Sequence, residues 1–446
     1  MTRIFIFFLL IQQPLFGQRL PKQSLIKDLT YLNEAVINGH PVNYSPERQT
    51  NIQTIIYNAM QIKADSISAW EYTLWIEKGI YSIGCIHTSI EKNPLPFNQK
   101  QLSFIPLTAS VQNNKLIITT CADSSKVGQI IEKINGHNAY EIINAYKEYK
   151  ASDGISNSFS TEYFHLASSK LISNFLNNPN RYNIKTSNNE FHLDGTSTIY
   201  QNKFIEVTPI YIISNKKNNF FVNNDFAILK VQSFEKSDIQ FFNAVFAKIN
   251  SMKVENLILD LRQNLGGNRK SAIELTKYLV DTTFRYSILQ PKLEKKKYLN
   301  AKGKRYLFLS KLKYNLGGIF KGQKTSLGKE FKYSYTPKSQ NHYDGNIYVL
   351  TDGFTASSST MITSWLKQFT NATFIGSQAS GGYNGNNGGS FPFITLPYSK
   401  IEIKFPAYRL ILDKNSNQNS GIIPDIIINS STDIKEIIKQ LRDTKK

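Results

Sequence analysis

The sequence predicts a multidomain α/β protein whose C-terminal half contains a mostly parallel sheet. Short apolar runs at 257–261 and 346–350 each end in a polar turn that leads into a helical segment. Strands that alternate with helices in this way form parallel sheets covered by helices. The chain has 446 residues, of which 41% are hydrophobic. It is therefore long enough for about two or three domains with buried cores.

The first residues are typical of a secretory signal peptide. Arg3 precedes an apolar run at 4–11, and Gly17 precedes a polar start at Gln18. The run is too short to cross the hydrocarbon core of a bilayer, and no longer apolar run predicts a transmembrane helix. A buried N-terminal helix or strand is the alternative, but the run has no helical or strand period. We therefore expect residues 1–17 to be cleaved and the mature protein to be exported, periplasmic or extracellular.

Residues 18–95 are expected to form an N-terminal helical unit. Apolar residues recur at three- and four-residue spacing over 22–38, which is the stripe of an amphipathic helix. Further on, Ser68 and Glu71 have the spacing of a capping box, which marks a second helix start.

Residues 96–215 are expected to form a mixed α+β block. A helical pattern covers 139–149. The strand-like runs are 102–105, 116–120, 130–134, 182–185 and 190–193.

Residues 216–446 are expected to form the α/β core. The third strand-like run of this block is 373–375, and helical segments are expected at 271–279 and 361–369. Catalytic and ligand-binding groups of parallel sheets gather beyond the carboxyl ends of the strands. The turns after Leu261 and Leu350 are therefore the candidate functional turns.

A basic insertion at 291–339 carries much of the chain's net charge of +20. This segment contains fourteen Lys and Arg residues and only two Glu residues, which gives it a net charge of +12. No recognisable nucleic-acid-binding module accompanies this charge, so we predict no nucleic-acid partner. The insertion is expected to be a solvated segment in peripheral contact with an anionic envelope surface. A protein that binds an anionic polymer or the envelope through this segment remains a separate alternative.

The chain has two cysteines, Cys85 and Cys121. Two are too few for a disulfide-stapled scaffold and fall short of a zinc or iron–sulfur ligand set of cysteines. The sequence therefore predicts neither a metal nor an organic cofactor. In an oxidising compartment the two thiols could pair, and the sequence leaves this open.

The turn after Leu350 contains Ser357 between a buried strand and a helix start. A hydroxyl there lies in the positive field of the helix N-terminus, where backbone N–H groups can bind an oxyanion. The alternative is that the serine caps the helix. The diglycine turn at 266–267 is a second place where bare backbone can approach a substrate. Asp260 and Arg262, beside it, are expected to be a structural ion pair.

Several ordered motifs resemble those of the tail-specific, or C-terminal-processing, serine peptidases. The motifs are LDLRQNLGG at 259–267, TASSS at 355–359, IG at 375–376 and GIIPD at 421–425. The segment ING at 134–136 is similar to the end of the PDZ-like module that many members carry. The segment IGCIHT at 83–88 is similar to the family's DxHT segment, with Cys85 at the usual Asp position. The resemblance implies a peptidase core, a PDZ-like block at 96–215 and peptide or protein substrates.

The resemblance also implies the nucleophile and its oxyanion hole. The nucleophile of the TASSS turn matches Ser357. The oxyanion donors match the N–H groups of Gly267 and Ser358, because each follows a turn directed at the same pocket.

The departures from the family pattern point to its tricorn-core-like branch. Many members use a Ser/Lys dyad with the Lys in a GKG loop, but Gly382 stands at that position. In the other branch a His of the helical unit is the base, and His87 matches it. The residue that matches the orienting acid is Gln418, and Asp413 or Asp425 could replace it.

Two functions of different class follow. The first is an exported serine endopeptidase. The second is a catalytically silent protein that binds peptides or ligands on the same fold, since related members without catalytic activity bind small apolar ligands. A substrate peptide is expected to bind as an added strand, with the PDZ-like block recognising a chain terminus. The glycine-rich segment 381–389 is expected to act as a wall or lid.

Overall fold

The computed structural model describes residues 19–44, 52–95, 103–154, 156–201, 212–223, 225–291, 296–316 and 322–443. The predicted signal peptide, 1–17, and parts of the basic insertion lie outside these residues. Within the described part of the chain, none of the helices combines the length and the hydropathy that a bilayer-spanning helix needs.

The described residues form the following helices and strands. The α-helices are α1 Lys22–Gly39, α2 Ile52–Met60, α3 Ala69–Ile83, α4 Ala139–Lys147, α5 Ser158–Phe175, α6 Asp238–Met252, α7 Arg269–Thr276, α8 Ala301–Leu316, α9 Ser358–Phe369 and α10 Ile434–Asp443. The strands are β1 Arg19–Pro21, β2 Ser66–Ser68, β3 Ser89–Lys92, β4 Leu107–Gln112, β5 Lys115–Cys121, β6 Ile130–Ile134, β7 His137–Asn138, β8 Arg181–Thr186, β9 Glu190–Asp194, β10 Ile213–Ser214, β11 Asn218–Asn223, β12 Phe226–Val231, β13 Asn256–Asp260, β14 Phe284–Pro291, β15 Gln323–Thr325, β16 Gly328–Tyr335, β17 Asn346–Thr351, β18 Thr373–Gly376, β19 Gly385–Gly388, β20 Phe393–Thr395, β21 Glu402–Lys404, β22 Tyr408–Ile411 and β23 Ile426–Ile427.

The N-terminal helices pack against the C-terminal core. The predicted capping box is confirmed, because Ser68 accepts from Glu71 N while Glu71 accepts from Ser68 N at the start of α3. Asp28 of α1 is fully buried and accepts bonds from the Tyr72 hydroxyl and from the backbone N–H groups of Tyr398 and Ser399. The apolar side chains of α1 and α3 belong to the same hydrophobic cluster as the large sheet. The position of α3 relative to that sheet is therefore fixed by both packing and hydrogen bonds.

The middle block has its own hydrophobic cluster around a sheet of order β4-β5-β6-β8-β9, with α4 and α5 against it. Most of its predicted strands are confirmed. The strand expected at 102–105 is wrong within the described residues, because Phe104 forms only an isolated bridge with Thr196. The turn after β6 has positive φ at Asn135 and Gly136, as its Asn-Gly sequence favours.

The predicted mostly parallel sheet is confirmed. Its seven strands have the order β10-β11-β12-β13-β17-β18-β23, and β12 through β23 are parallel. The residues of β13 are buried along the whole strand, as expected of a central strand covered on both faces.

A second sheet of order β15-β16-β14-β22-β19 is antiparallel, and it includes the described strands of the basic insertion. Of the wall or lid expected at 381–389, this sheet contradicts the lid, and the wall stays a prediction. Residues Gly385–Gly388 form the buried strand β19, which pairs with β22. A strand held in this way is part of the scaffold rather than a cover.

Candidate active site

The diglycine turn and the serine turn meet at the carboxyl end of the parallel sheet. They follow β13 and β17, which are direct neighbours. Ala356 N and the Ser359 hydroxyl both donate to Asn264 O, at 3.1 and 3.0 Å. The Ser358 hydroxyl donates to Gly267 O at 2.9 Å. These bonds join the two turns into one rigid unit.

Ser357 lies in a sparsely populated backbone conformation. Its φ is 56° and its ψ is −119°. Such a conformation costs about 1–3 kcal/mol in a residue other than glycine and is concentrated at functional sites. Ser357 occupies the N-cap position of α9, yet its side chain makes no capping hydrogen bond to the described helix. The capping alternative therefore does not account for this hydroxyl, which remains available for chemistry at a helix N-terminus.

Two backbone N–H groups lie beside Ser357 at the junction of the turns. They belong to Gly267 and to Ser358, the first residue of α9, whose N–H has no partner within the helix. Among the described residues, neither group is a donor in the backbone hydrogen bonds outside regular elements. A β-carbon on Gly267 would lie 2.2 Å from Phe234 O, so only glycine fits this backbone path. The two donors can serve an oxyanion.

Asp260 and Arg262 form the structural ion pair that the sequence predicts. The Arg262 guanidinium donates to both carboxylate oxygens of Asp260, with Nη2 to Oδ2 at 2.7 Å. It also donates to the backbone oxygens of Ser430 and Thr432. Both side chains are thus occupied in holding the base of the diglycine turn.

His87 lies just beyond the C-terminus of α3, after Gly84, whose φ of 57° ends the helix. Its imidazole stacks on Phe391 with ring centroids 5.5 Å apart. Burial and, second, the positive charge of Lys404 lower the pKa of His87 from 6.5 to about 4. Within the described structure, Nδ1 is buried without a hydrogen-bond partner. The ring is therefore neutral at pH 7 and able to accept a proton.

A carboxylate and a thiol lie against this imidazole. The Cys85 sulfur, a ring nitrogen of His87 and a carboxylate oxygen of Asp153 lie within 4.8 Å of one another. Asp153 is only 3% exposed, and its two oxygens accept from Ile86 N and Gly382 N, both at 3.1 Å. Burial and, second, the Asp153 carboxylate raise the pKa of the Cys85 thiol to about 11. Asp153 thus ties the segment of His87 to the loop at Gly382.

The loop at Gly381 and Gly382 connects this cluster to the serine turn. A β-carbon on Gly381 would lie 3.2 Å from Ala356 Cα, next to Ser357. A β-carbon on Gly382 would lie 2.4 Å from Gly385 O and 3.3 Å from Asp153 Cβ. The position at which a Lys of a Ser/Lys dyad is expected therefore has no room for any side chain.

The three residues that are candidates for orienting His87 form hydrogen bonds to other groups. The Gln418 side-chain amide donates to Gly421 O at 3.0 Å. Asp413 accepts from Asn415 N, and Asp425 accepts from Phe374 N and from the Lys367 ammonium. The assignment of Gln418 to His87 stays a prediction.

Sequence reasoning missed Asp153 and Asn387. Asp153 precedes a glycine in a turn, which is common in loops and signals no chemistry. Asn387 is buried in β19, and its side chain hydrogen-bonds to Cys85. Both residues reach His87 or Cys85 only through long-range folding, so a local pattern could not reveal them. Cys85 and Cys121 are both free thiols, so the pairing left open by the sequence is not formed.

The fold and the serine turn agree with comparisons to known proteins. The profile of peptidase family S41 matches residues 225–428. A structure of mature CPAF complexed with lactacystin is similar to this chain, with a TM-score of 0.61 and 12% identity over 95% of this chain and 98% of that chain. A mutant of CPAF is also similar, with a TM-score of 0.62 and 12% identity over 91% of this chain and 93% of that chain. No curated protein sequence matches the chain significantly.

At this identity the CPAF structures show a shared fold, while the profile match covers both turns of the site. The strand, diglycine and serine motifs that predicted the family all lie inside the matched range. Residues 225–428 of the chain therefore match peptidase family S41, a family of serine-type peptidases.

Proposed function

We propose that this chain is an endopeptidase in which Ser357 is the nucleophile and His87 its general base. The observation that carries the proposal is the strained backbone of Ser357 at the start of α9, with the diglycine turn bound against it. A serine in an ordinary N-cap needs no such conformation, and strain of this kind persists only where the surroundings fix it. The family supports peptide or protein substrates.

The chemistry follows from these positions. Ser357 Oγ attacks the scissile carbonyl carbon while the neutral His87 accepts the hydroxyl proton. The N–H groups of Gly267 and Ser358 stabilise the oxyanion, and the field of α9 adds to this. The imidazolium then returns the proton to the leaving amine, which leaves an acyl-enzyme. Water, deprotonated by His87, hydrolyses the acyl-enzyme and restores the hydroxyl of Ser357.

Asp153 is our proposal for the residue that positions His87. It is a buried carboxylate within 4.8 Å of a ring nitrogen, whereas the Gln418 amide is bound to Gly421 O. A carboxylate stabilises the imidazolium that forms during attack, which an amide cannot do with a full charge. Contacts of this type often tighten only when substrate binds.

The mature protein is proposed to begin at Gln18 and to be exported, on the basis of the signal-peptide pattern. We also propose that the block 96–215 is PDZ-like and recognises a chain terminus of the substrate. Amino-terminal sequencing of the cell-envelope and medium fractions tests export. Cleavage of matched peptides with free and amidated carboxyl termini tests recognition of the terminus, which equal rates would contradict.

Helix α8 supports the proposed contact with an anionic envelope surface. Its exposed apolar residues include Phe308, which is 65% exposed, and Leu309. Lys302, Lys304 and Arg305 lie on the same helix and are exposed. Apolar and basic side chains together favour the interface of anionic lipids. Binding to phosphatidylglycerol vesicles but not to phosphatidylcholine vesicles is the expected result, and equal binding would contradict it.

Labelling with a fluorophosphonate probe tests the catalytic proposal. Wild type is expected to be labelled, and Ser357→Ala and His87→Ala are expected to lose the label. Ser339→Ala is the serine control and should keep the label, because Ser339 is exposed and lies outside both turns of the site. Labelling that survives Ser357→Ala would identify another serine. A folded wild type without any label would favour the silent binding protein.

A further inference from the structure

The cluster around Cys85 contains two buried polar atoms that form no hydrogen bond to the described residues. His87 Nδ1 and Asn387 Oδ1 are both buried, and among the described residues neither has a hydrogen-bond partner. Asn387 is 2% exposed, and its side chain contacts Cys85. Buried polar groups are nearly always satisfied, so these two atoms have lone pairs to offer to a ligand.

The donor set is that of a transition metal. Cys85 supplies sulfur, His87 nitrogen and Asp153 oxygen, and these three atoms lie within 4.8 Å of one another. Zinc binds such atoms at about 2.0–2.3 Å, which places them roughly 3.3–3.8 Å apart in a tetrahedral shell. The separations between the donor atoms therefore need to shorten by about 1.5 Å at most to close the site around an ion. Asn387 Oδ1 supplies a further donor.

The chemistry of these groups is compatible with coordination. The Asp153 carboxylate accepts from the backbone N–H groups of Ile86 and Gly382, and a carboxylate has about four lone-pair positions in all. Cys85 is 0% exposed and pairs with no other thiol. A bound metal displaces the thiol proton and is held as the thiolate complex.

We propose that Cys85, His87 and Asp153, with Asn387 beside them, form an inhibitory site for a divalent transition metal of the zinc class. The proposal that the metal inhibits the enzyme rests on the proposed role of His87 as the general base. A metal on Nε2 occupies the lone pair that accepts the serine proton. A metal on Nδ1 leaves the ring proton on Nε2, so Nε2 has no lone pair with which to accept the serine proton. Either way the metal removes the base without touching Ser357.

Titration of the metal-free full chain with Co²⁺ tests the site independently of activity. We expect a thiolate-to-cobalt charge-transfer band that saturates at one equivalent and is lost in Cys85→Ala. Cys121→Ala is the matched thiol control and should keep the band. His342→Ala controls for the cluster of Asp281, His342 and Asp344, whose donors also lie within 4.8 Å of one another but include no thiol. Circular dichroism verifies folding, and Cys85→Ser replaces Cys85→Ala if the latter unfolds.

Fluorophosphonate labelling with and without Zn²⁺ then tests inhibition within each variant. Zn²⁺ should suppress labelling of wild type, with recovery on adding EDTA, and Cys85→Ala should need at least about tenfold more Zn²⁺. No cobalt band in folded wild type, or a band that survives Cys85→Ala, would overturn the site. A cobalt band in a protein that is never labelled would keep the metal site and remove the proposed peptidase function. Labelling that Zn²⁺ leaves unchanged at saturation would overturn the inhibitory role.

Discussion

Gly266 lies directly against Ser357. A β-carbon on Gly266 would stand 2.6 Å from Ser357 Cβ and 2.8 Å from Ser358 N. Gly266 also has a φ of 99°, which side chains rarely adopt. Packing against the nucleophile turn therefore requires glycine at position 266, independently of any contact with a substrate.

Gly266→Ala is expected to reduce fluorophosphonate labelling by at least about tenfold, because a shift of about 1 Å in the reacting groups can cost about 10²-fold. It should also destabilise the fold by about 1–3 kcal/mol through backbone strain. Gly128→Ala is the matched control, because Gly128 has a φ of 84° with no atom within 4 Å of its β-carbon. Equal loss of labelling in the two variants, at equal melting temperature, would show that the Gly266 contact is irrelevant to chemistry.

Asp153→Asn is expected to lower kcat by about 10² to 10⁴-fold, as loss of the carboxylate does in related triads. The KM should change little, because Asp153 is proposed to act through His87 and not on the substrate. Asp153→Glu should recover part of the rate. Gln418→Ala is the competing variant, and the larger loss of kcat identifies the positioning residue. If Gln418→Ala alone lowers kcat, the role of Asp153 is refuted.

Local patterns predicted the core well because its strands carry their own signal. The run at 257–261 is apolar throughout, and it forms the buried strand β13 with only a one-residue shift. The Ser68 and Glu71 capping box likewise acts within four residues of chain. In the same way, the diglycine and serine turns follow two such strands, so the parallel pairing brings them together.

The missed features depend on contacts between distant parts of the chain. The glycine-rich segment 385–388 has a loop composition, yet β22 supplies a strand partner that makes it the buried strand β19. Asp153 bonds to Gly382, which lies more than two hundred residues away in sequence. Tertiary pairing decided both outcomes, and neither composition nor periodicity carries that information.

Asp28→Ala is expected to destabilise the protein by about 3 kcal/mol, because it leaves the Tyr72 hydroxyl and the backbone N–H groups of Tyr398 and Ser399 without their acceptor. Labelling should fall along with stability, since Asp28 helps to fix the N-terminal helices that carry His87. Gln23→Ala, on the exposed side of the same helix, should leave both unchanged. Chemical denaturation followed by circular dichroism measures the difference. An unchanged midpoint for Asp28→Ala would contradict the proposed link.

The pH dependence of labelling follows from the surroundings of His87. Besides Phe391, the groups that face it are Cys85, Asp153 and Lys404. Catalysis needs the neutral ring, and its pKa is lowered to about 4, so activity should rise with pH through about 4 and level off above it. Because the folded pKa lies below the unfolded value of 6.5, His87 contributes stability that is complete above pH 6.5 and is lost as the pH falls towards 4.

Lys404→Gln tests directly whether the positive charge of Lys404 lowers the pKa of His87. Removing the second contribution to the lowered pKa should move the acid limb of the labelling rate towards pH 6.5, while burial keeps it below that value. Lys92→Gln, an exposed change on the neighbouring strand β3, is the matched control and should leave the limb in place. The rates are measured with EDTA present, so that no metal competes for the imidazole. A limb near pH 6.5 in wild type that Lys404→Gln does not move would contradict the lowered pKa of His87 and the part of Lys404 in it.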